Sequence, residues 1–208
     1  MEVPTNNLCR YILDFDGEAG FLFLKEHKLF SGNSHAESEV LVFGIGDYVI
    51  CSNKGVCEVE NITTLNISGV DREREYYILK PLYMAGSTVY LPVDSPKESM
   101  RKVLSREEAE KLIEAIPEIP LLVITNDRLS EQAYKDCIRT NDCEELVKLL
   151  KTIYNRKQKR IKAGRKVTAV DAKYFHMAEE NLYGELAVAL NISRKEVESY
   201  IAEAIDSH

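Results

Sequence analysis

The period of the apolar residues changes once along this chain, near Val93, and that change limits its fold more than any other feature. Ahead of it, short apolar segments alternate with turn residues. Tyr48-Val49-Ile50-Cys51 is a run of strand formers, and Ser52-Asn53-Lys54-Gly55 follows as a turn, with Gly55 able to take positive φ. Residues 56–62 alternate and read as the return strand. Residues 66–74 hold Gly69 among polar side chains and read as a loop. Two further strands, 76–79 and 88–93, flank a turn at Ala85-Gly86-Ser87. Nothing helical separates these segments, which excludes parallel βαβ units, and short strands at this spacing predict a small β-barrel.

Behind Val93 the spacing is helical. Helix starts are marked by side chains that can accept the unpartnered N–H groups of a first turn. Ser95-Pro96-Lys97-Glu98 combines an N-cap serine, a proline at the first helical position and a glutamate three residues on, which predicts a helix from Ser95. Ser105-Arg106-Glu107-Glu108 repeats the pattern, and its helix ends before Pro117. Asp142 opens another helix, with Asn141 closing the one before it, and Thr168 and Ser193 cap the last two. Between caps, Leu146, Leu150, Ile153 and Ile161 form one apolar seam, and Tyr174, Ala178, Leu182, Leu186 and Ala189 another. The predicted fold class is therefore α+β: a small N-terminal β-barrel over residues 42–95 followed by an all-α helical domain over 96–208. Residues 1–41 are expected to be an accessory or poorly packed appendage. Their apolar clusters at 8–15 and 21–30 are broken by Gly17, Gly20 and the polar stretch 31–39, and a start placed too early is one explanation of them.

Charge is unevenly placed. The chain carries a net charge of -7, yet from 148 to 170 there are nine basic residues and no acidic one. These are Lys148, Lys151, Arg156, Lys157, Lys159, Arg160, Lys162, Arg165 and Lys166. Cations at a helix C-terminus complement its dipole, which accounts for two or three of them but not for nine. Arg156, Lys157, Lys159, Arg160, Lys162, Arg165 and Lys166 are the candidate DNA-binding residues. Such contacts hold the phosphate backbone, carry no sequence information, and weaken with salt.

Catalytic and metal-binding constellations are missing from the sequence. The histidines, His27, His35, His176 and His208, stand apart from one another and from any cysteine pair with ligand spacing. Gly44-Ile45-Gly46 begins like a dinucleotide loop, but it precedes a strand instead of following one and lacks the third glycine. Five cysteines (Cys9, Cys51, Cys57, Cys137 and Cys143) form an odd set without C-x-x-C spacing, which fits free thiols in a reducing cytoplasm. No apolar run approaches the roughly 20 residues of a membrane span, and no signal peptide pattern opens the chain. The expectation is a cytoplasmic, non-enzymatic protein without cofactor or metal.

Phe43-Gly44-Ile45-Gly46-Asp47-Tyr48-Val49-Ile50, Lys54-Gly55-Val56-Cys57-Glu58-Val59, Glu75-Tyr76-Tyr77-Ile78-Leu79-Lys80 and Thr88-Val89-Tyr90-Leu91-Pro92-Val93, in that order, resemble the CarD/CdnL family. The C-terminal half agrees, with Asp142 opening a helix, the basic loop, and Leu182-Tyr183-Gly184-Glu185-Leu186-Ala187-Val188-Ala189-Leu190. The resemblance spans residues 42–205. It implies an SH3/Tudor-like barrel that binds the RNA polymerase β subunit, related to the barrel of transcription-repair coupling factors. It also implies a helical domain that contacts promoter DNA at the upstream edge of the melted bubble. The expected protein is a bacterial transcription regulator that modulates open-complex stability, acts as a monomer and joins the nucleoid through polymerase.

The polymerase-binding residues expected on this basis are Ile62, Thr64, Leu65, Thr88, Tyr90 and Leu91. Leu65 and Tyr90 stand where some members carry arginines. Many members wedge a tryptophan into the minor groove, but this chain has no tryptophan. The matching stretch, 122–128, offers only Leu, Val and Ile as apolar side chains, and Ile124 is expected to be core. An alternative is an RNA- or ribosome-associated KOW/SH3-like protein. The few cations and several carboxylates on the strands argue against it.

Overall fold

The computed structural model describes residues 43–51, 54–66, 72–84, 86–94, 100–124, 126 and 129–206. The appendage expected over 1–41 lies outside the described residues. Five strands come first: β1 (Tyr48–Cys51), β2 (Gly55–Thr64), β3 (Glu75–Pro81), β4 (Val89–Pro92) and β5 (Met100–Lys102). They form one antiparallel sheet in the order β4-β3-β2-β1-β5. Alternation sends Val49, Cys51, Cys57, Val59, Tyr77, Leu79 and Met100 to a shared core with Phe43. Phe43 N–H donates to the Tyr77 hydroxyl at 3.2 Å, so the buried phenol is satisfied as well as packed. The register of β2 on β3 shifts between Val59 and Asn61, a bulge that bends the long strand. Among the described residues the end strands β4 and β5 do not pair with each other. The expected barrel is thus seen as a five-stranded antiparallel sheet.

A helix is expected from Ser95. Residues 95–99 lie outside the described set, but Met100–Lys102 is strand β5, antiparallel to β1 with Ile50 opposite Arg101. Pairing with a strand about fifty residues earlier decides the conformation of 100–102.

The expected caps at Ser105, Asp142 and Thr168 are present, whereas the last helix begins at Val197 after a turn and is not capped by Ser193. Helices α1 (Arg106–Ala115), α2 (Ser130–Arg139), α3 (Cys143–Lys162), α4 (Ala169–Leu190) and α5 (Val197–Asp206) follow. Ser105 accepts from Glu108 N–H at 3.2 Å while the Glu108 carboxylate accepts from Ser105 N–H at 2.8 Å, a reciprocal capping box. The Asp142 carboxylate accepts from Glu144 and Glu145 N–H. The Thr168 hydroxyl accepts from Asp171 N–H. Asn141 and Asn191 take positive φ (53° and 56°) after α2 and α4, as asparagine tolerates. Tyr134, Leu149, Ile153, Leu182, Leu186, Leu190 and Ile201 form the centre of the helical core. Helix α4 is the hub, packed by α1, α3 and α5 and lying against β2. The seam of α3 stops earlier than its spacing implies. Ile153 is 1% exposed and Ile161 is 51% exposed, so among the described residues the covering of the seam ends before the last turn of the helix.

Candidate functional site

The cationic surface is built at the C-terminal end of α3. Gly164, at φ 69°, donates to Ile161 O at 2.9 Å, and Arg165 N–H donates to Arg160 O at 2.8 Å. These two bonds make a Schellman closure that fixes the loop leading into α4. The Arg160 guanidinium donates its Nε–H to Lys166 O at 2.8 Å, tying the side chain to the loop. Residues 161–166 are all exposed. Lys159, Lys162, Arg165 and Lys166 thus project into solvent from a folded end, with Lys157 and Arg160 half-buried beside them. Among the described residues no ion pair engages Lys159, Lys162, Arg165 or Lys166.

Three of the nine cations point elsewhere. Lys148 is held by Glu144 at 2.9 Å and Glu145 at 2.7 Å, carboxylates just upstream of the acid-free window, and these bonds push its pKa up. Lys151 is 6% exposed, and its ammonium donates to the carbonyls of Ile116 (2.9 Å), Pro117 (3.0 Å) and Ile119 (2.6 Å). It caps the chain leaving α1, a helix whose own last turn has no basic residue. Arg156, a candidate for DNA, lies 3.7 Å from the carboxylate of Asp171, which is 1% exposed. Asp171 also accepts from the Tyr134 hydroxyl at 3.0 Å. The structure therefore brings six of the seven candidates to one end of α3 and its loop and turns Arg156 toward the helical core.

The candidates on the sheet divide by face. Ile62, Tyr77 and Leu91 are register partners across β2, β3 and β4, and Ile62 and Leu91 pack on the sheet core. Leu65 is buried at 9%. Thr64, Thr88 and Tyr90 face out, Tyr90 being 49% exposed. Strand β4 is also the end of the sheet, so among the described residues its outer backbone edge has no partner strand.

Residues 43–104 match the family model of the CarD-like/TRCF RID domain. The match runs from Phe43 through β5 to the residue before the Ser105 cap, so it takes in every described strand. The RID family is a non-catalytic interaction domain of transcription factors and interacts with the RNA polymerase β subunit.

No described helix is long and apolar enough to cross a membrane. Among the described residues no three His, Cys, Asp or Glu side chains converge as a metal site. The four described cysteines are buried free thiols, and burial pushes Cys137 up to about 12. Ile124 packs partly buried on the helical core, in keeping with its expected place, whereas its neighbour Val123 is 89% exposed. Sequence reasoning passed over Arg101, whose partner is 84 residues away. No local pattern announces such a pair.

Proposed function

We propose that this protein is a transcription regulator that binds the RNA polymerase β subunit along the β4 side of its sheet and holds promoter DNA with the cationic end of α3, modulating open-complex stability. The match over residues 43–104 carries this reading. Among the described residues the outer edge of β4 is open, which supports it, because an unpaired strand offers N–H and C=O groups to a partner strand. Thr88 and Tyr90 sit on that strand or at its start and face out, as a polymerase contact requires. Ile62, Leu65 and Leu91 shape the strand from the core side. Lys157, Lys159, Arg160, Lys162, Arg165 and Lys166 supply the phosphate contacts.

The test uses the full chain, since a fragment ending at residue 95 would remove β5 from the sheet. Tyr90→Ala should weaken binding to polymerase β by about tenfold, in the range of a truncated interface aromatic. Circular dichroism and thermal midpoint should stay near native. Leu91→Ala should instead lower stability, by about 2 kcal/mol for a half-buried leucine. Native affinity for β in Tyr90→Ala would move the contact off this strand. Binding of single-stranded RNA by the sheet in place of β would favour a KOW-like role.

A further inference from the structure

Sheet and helices meet along one face of α4. Asn181, Gly184 and Glu185, spaced by three and four residues, share that face. Glu185 is 1% exposed and receives a two-pronged ion pair from Arg101 of β5, at 2.5 Å and 2.7 Å. Leu104 N–H adds a third donor to Glu185 at 3.1 Å, and the Cys143 thiol adds a fourth at 3.0 Å. The same arginine donates from Nε to Asn141 O at 2.7 Å and from an Nη to the same carbonyl. The positive φ of Asn141 belongs to the turn that opens α3. One β5 side chain is thereby tied to the start of α3 and to the middle of α4.

A second contact lies beside this cluster. Tyr83, just past β3, donates its hydroxyl to Gly184 O at 3.3 Å. A Cβ on Gly184 would stand 2.8 Å from the Tyr83 ring, so the ring sits where only glycine leaves room. The Arg194 guanidinium covers the ring at 5.2 Å. A Cβ on Gly55 of β2 would come within 3.2 Å of Asn181, so the backbone of β2 also approaches α4 closely.

We infer that the Arg101–Glu185 clamp, with Tyr83 seated on Gly184, fuses sheet and helices into one rigid lever that sets the distance and angle between the β4 edge and the cationic end of α3. The inference deepens the proposed function and rests on it for its meaning. Helix α3 starts at the clamp and ends at the cations. Its 20 residues span about 30 Å at 1.5 Å each. A rotation of roughly 10° at the clamp would move the cations by about 5 Å, more than the 3.4 Å rise of one nucleotide. A rigid clamp therefore fixes which phosphates the lever meets once polymerase is bound. A loose one would spread contact over neighbouring positions and lower the effective concentration at each.

Two variants of the full chain test the lever. Glu185→Ala removes the acceptor and leaves Arg101 without its carboxylate. Gly184→Ala leaves the ion pair's groups in place, favours the helix itself, and pushes Tyr83 off its seat. Amide relaxation of the native chain should give one rotational correlation time for β2 and α4, and both variants should split it into two. Tyr83→Ala in the Gly184→Ala background should restore the single value, since the obstructing ring is gone while the clamp remains.

In footprints of promoter DNA bound by polymerase, the protection added by the native chain should have sharp limits. In the variants those limits should blur, while binding to isolated β and to isolated duplex stays within twofold of native. A single correlation time persisting in both variants would overturn the lever. Two correlation times in the native chain would overturn it as well. If the native chain binds neither β nor duplex, the proposed function fails, and the relaxation data still decide the clamp.

Discussion

Both halves of α3 carry cations in the sequence, and those cations meet opposite fates in the fold. In the first half, from Cys143 to Ile153, the cations are engaged by the protein itself. Lys148 pairs with Glu144 and Glu145, and Lys151 is enclosed by three carbonyls. In the second half the core falls away and the cations from Lys159 onward meet water. A run of Lys and Arg is therefore not a surface until burial and neighbours are known. The boundary between the two regimes lies near Arg156, which still reaches the buried Asp171.

The largest effect expected of this contrast is on DNA. Replacing Lys159, Arg160, Lys162 and Lys166 together by glutamate should lower duplex affinity by about a thousandfold, or ~4 kcal/mol, while polymerase binding holds. If all six cations touch phosphate, the native salt dependence should have a slope of roughly -5 on logarithmic axes. Fluorescence anisotropy against salt measures both quantities. A slope near zero would remove DNA from this end of the helix.

Lys151→Ala comes next, and its effect should fall on stability alone. Removing the ammonium leaves the carbonyls of Ile116, Pro117 and Ile119 without their shared donor, at a cost of about 3 kcal/mol. Urea unfolding should show an earlier midpoint. Duplex affinity at low temperature should be unchanged. Lost affinity in a folded Lys151→Ala protein would mean that the first half of α3 also contacts DNA.

How far the sequence reveals these roles depends on how far apart the interacting groups lie. Caps at Ser105, Asp142 and Thr168 act within three residues, so they are visible in a string of letters. The strands are visible through alternation, and β2 to β4 follow closely on one another. Strand β5 is hidden because only Met100 of its three residues is buried and its partner lies in β1. Lys151 is hidden for the same reason, its acceptors standing 32 to 35 residues earlier. The partners of Lys148 were within reach, but a window opened at 148 leaves Glu144 and Glu145 just outside. Ile161 misleads in the other direction. Its spacing continues the seam, but periodicity records which side of a helix a residue occupies and not whether a neighbour covers it.

Smaller effects sharpen the contrast further. Lys148→Ala should cost about 0.5 kcal/mol, because its pairs sit on a helix surface where screening by water limits their worth. Polymerase and DNA binding should not move.

Ile161→Ser is the weakest perturbation and the most discriminating one. Ile153→Ala, two turns earlier on the same seam, should cost about 3 kcal/mol, as for a fully buried isoleucine. Ile161→Ser should cost less than about 0.5 kcal/mol, since the side chain is half exposed and serine and isoleucine have similar helix propensity. Phosphate contacts are made by charge, so duplex affinity should change by less than about twofold and the salt slope should stay native. A tenfold loss of affinity with an unchanged slope would have a different meaning. It would show that the exposed end of α3 adds an apolar contact to its cations, and that Ile161 is left uncovered by the core because the DNA covers it.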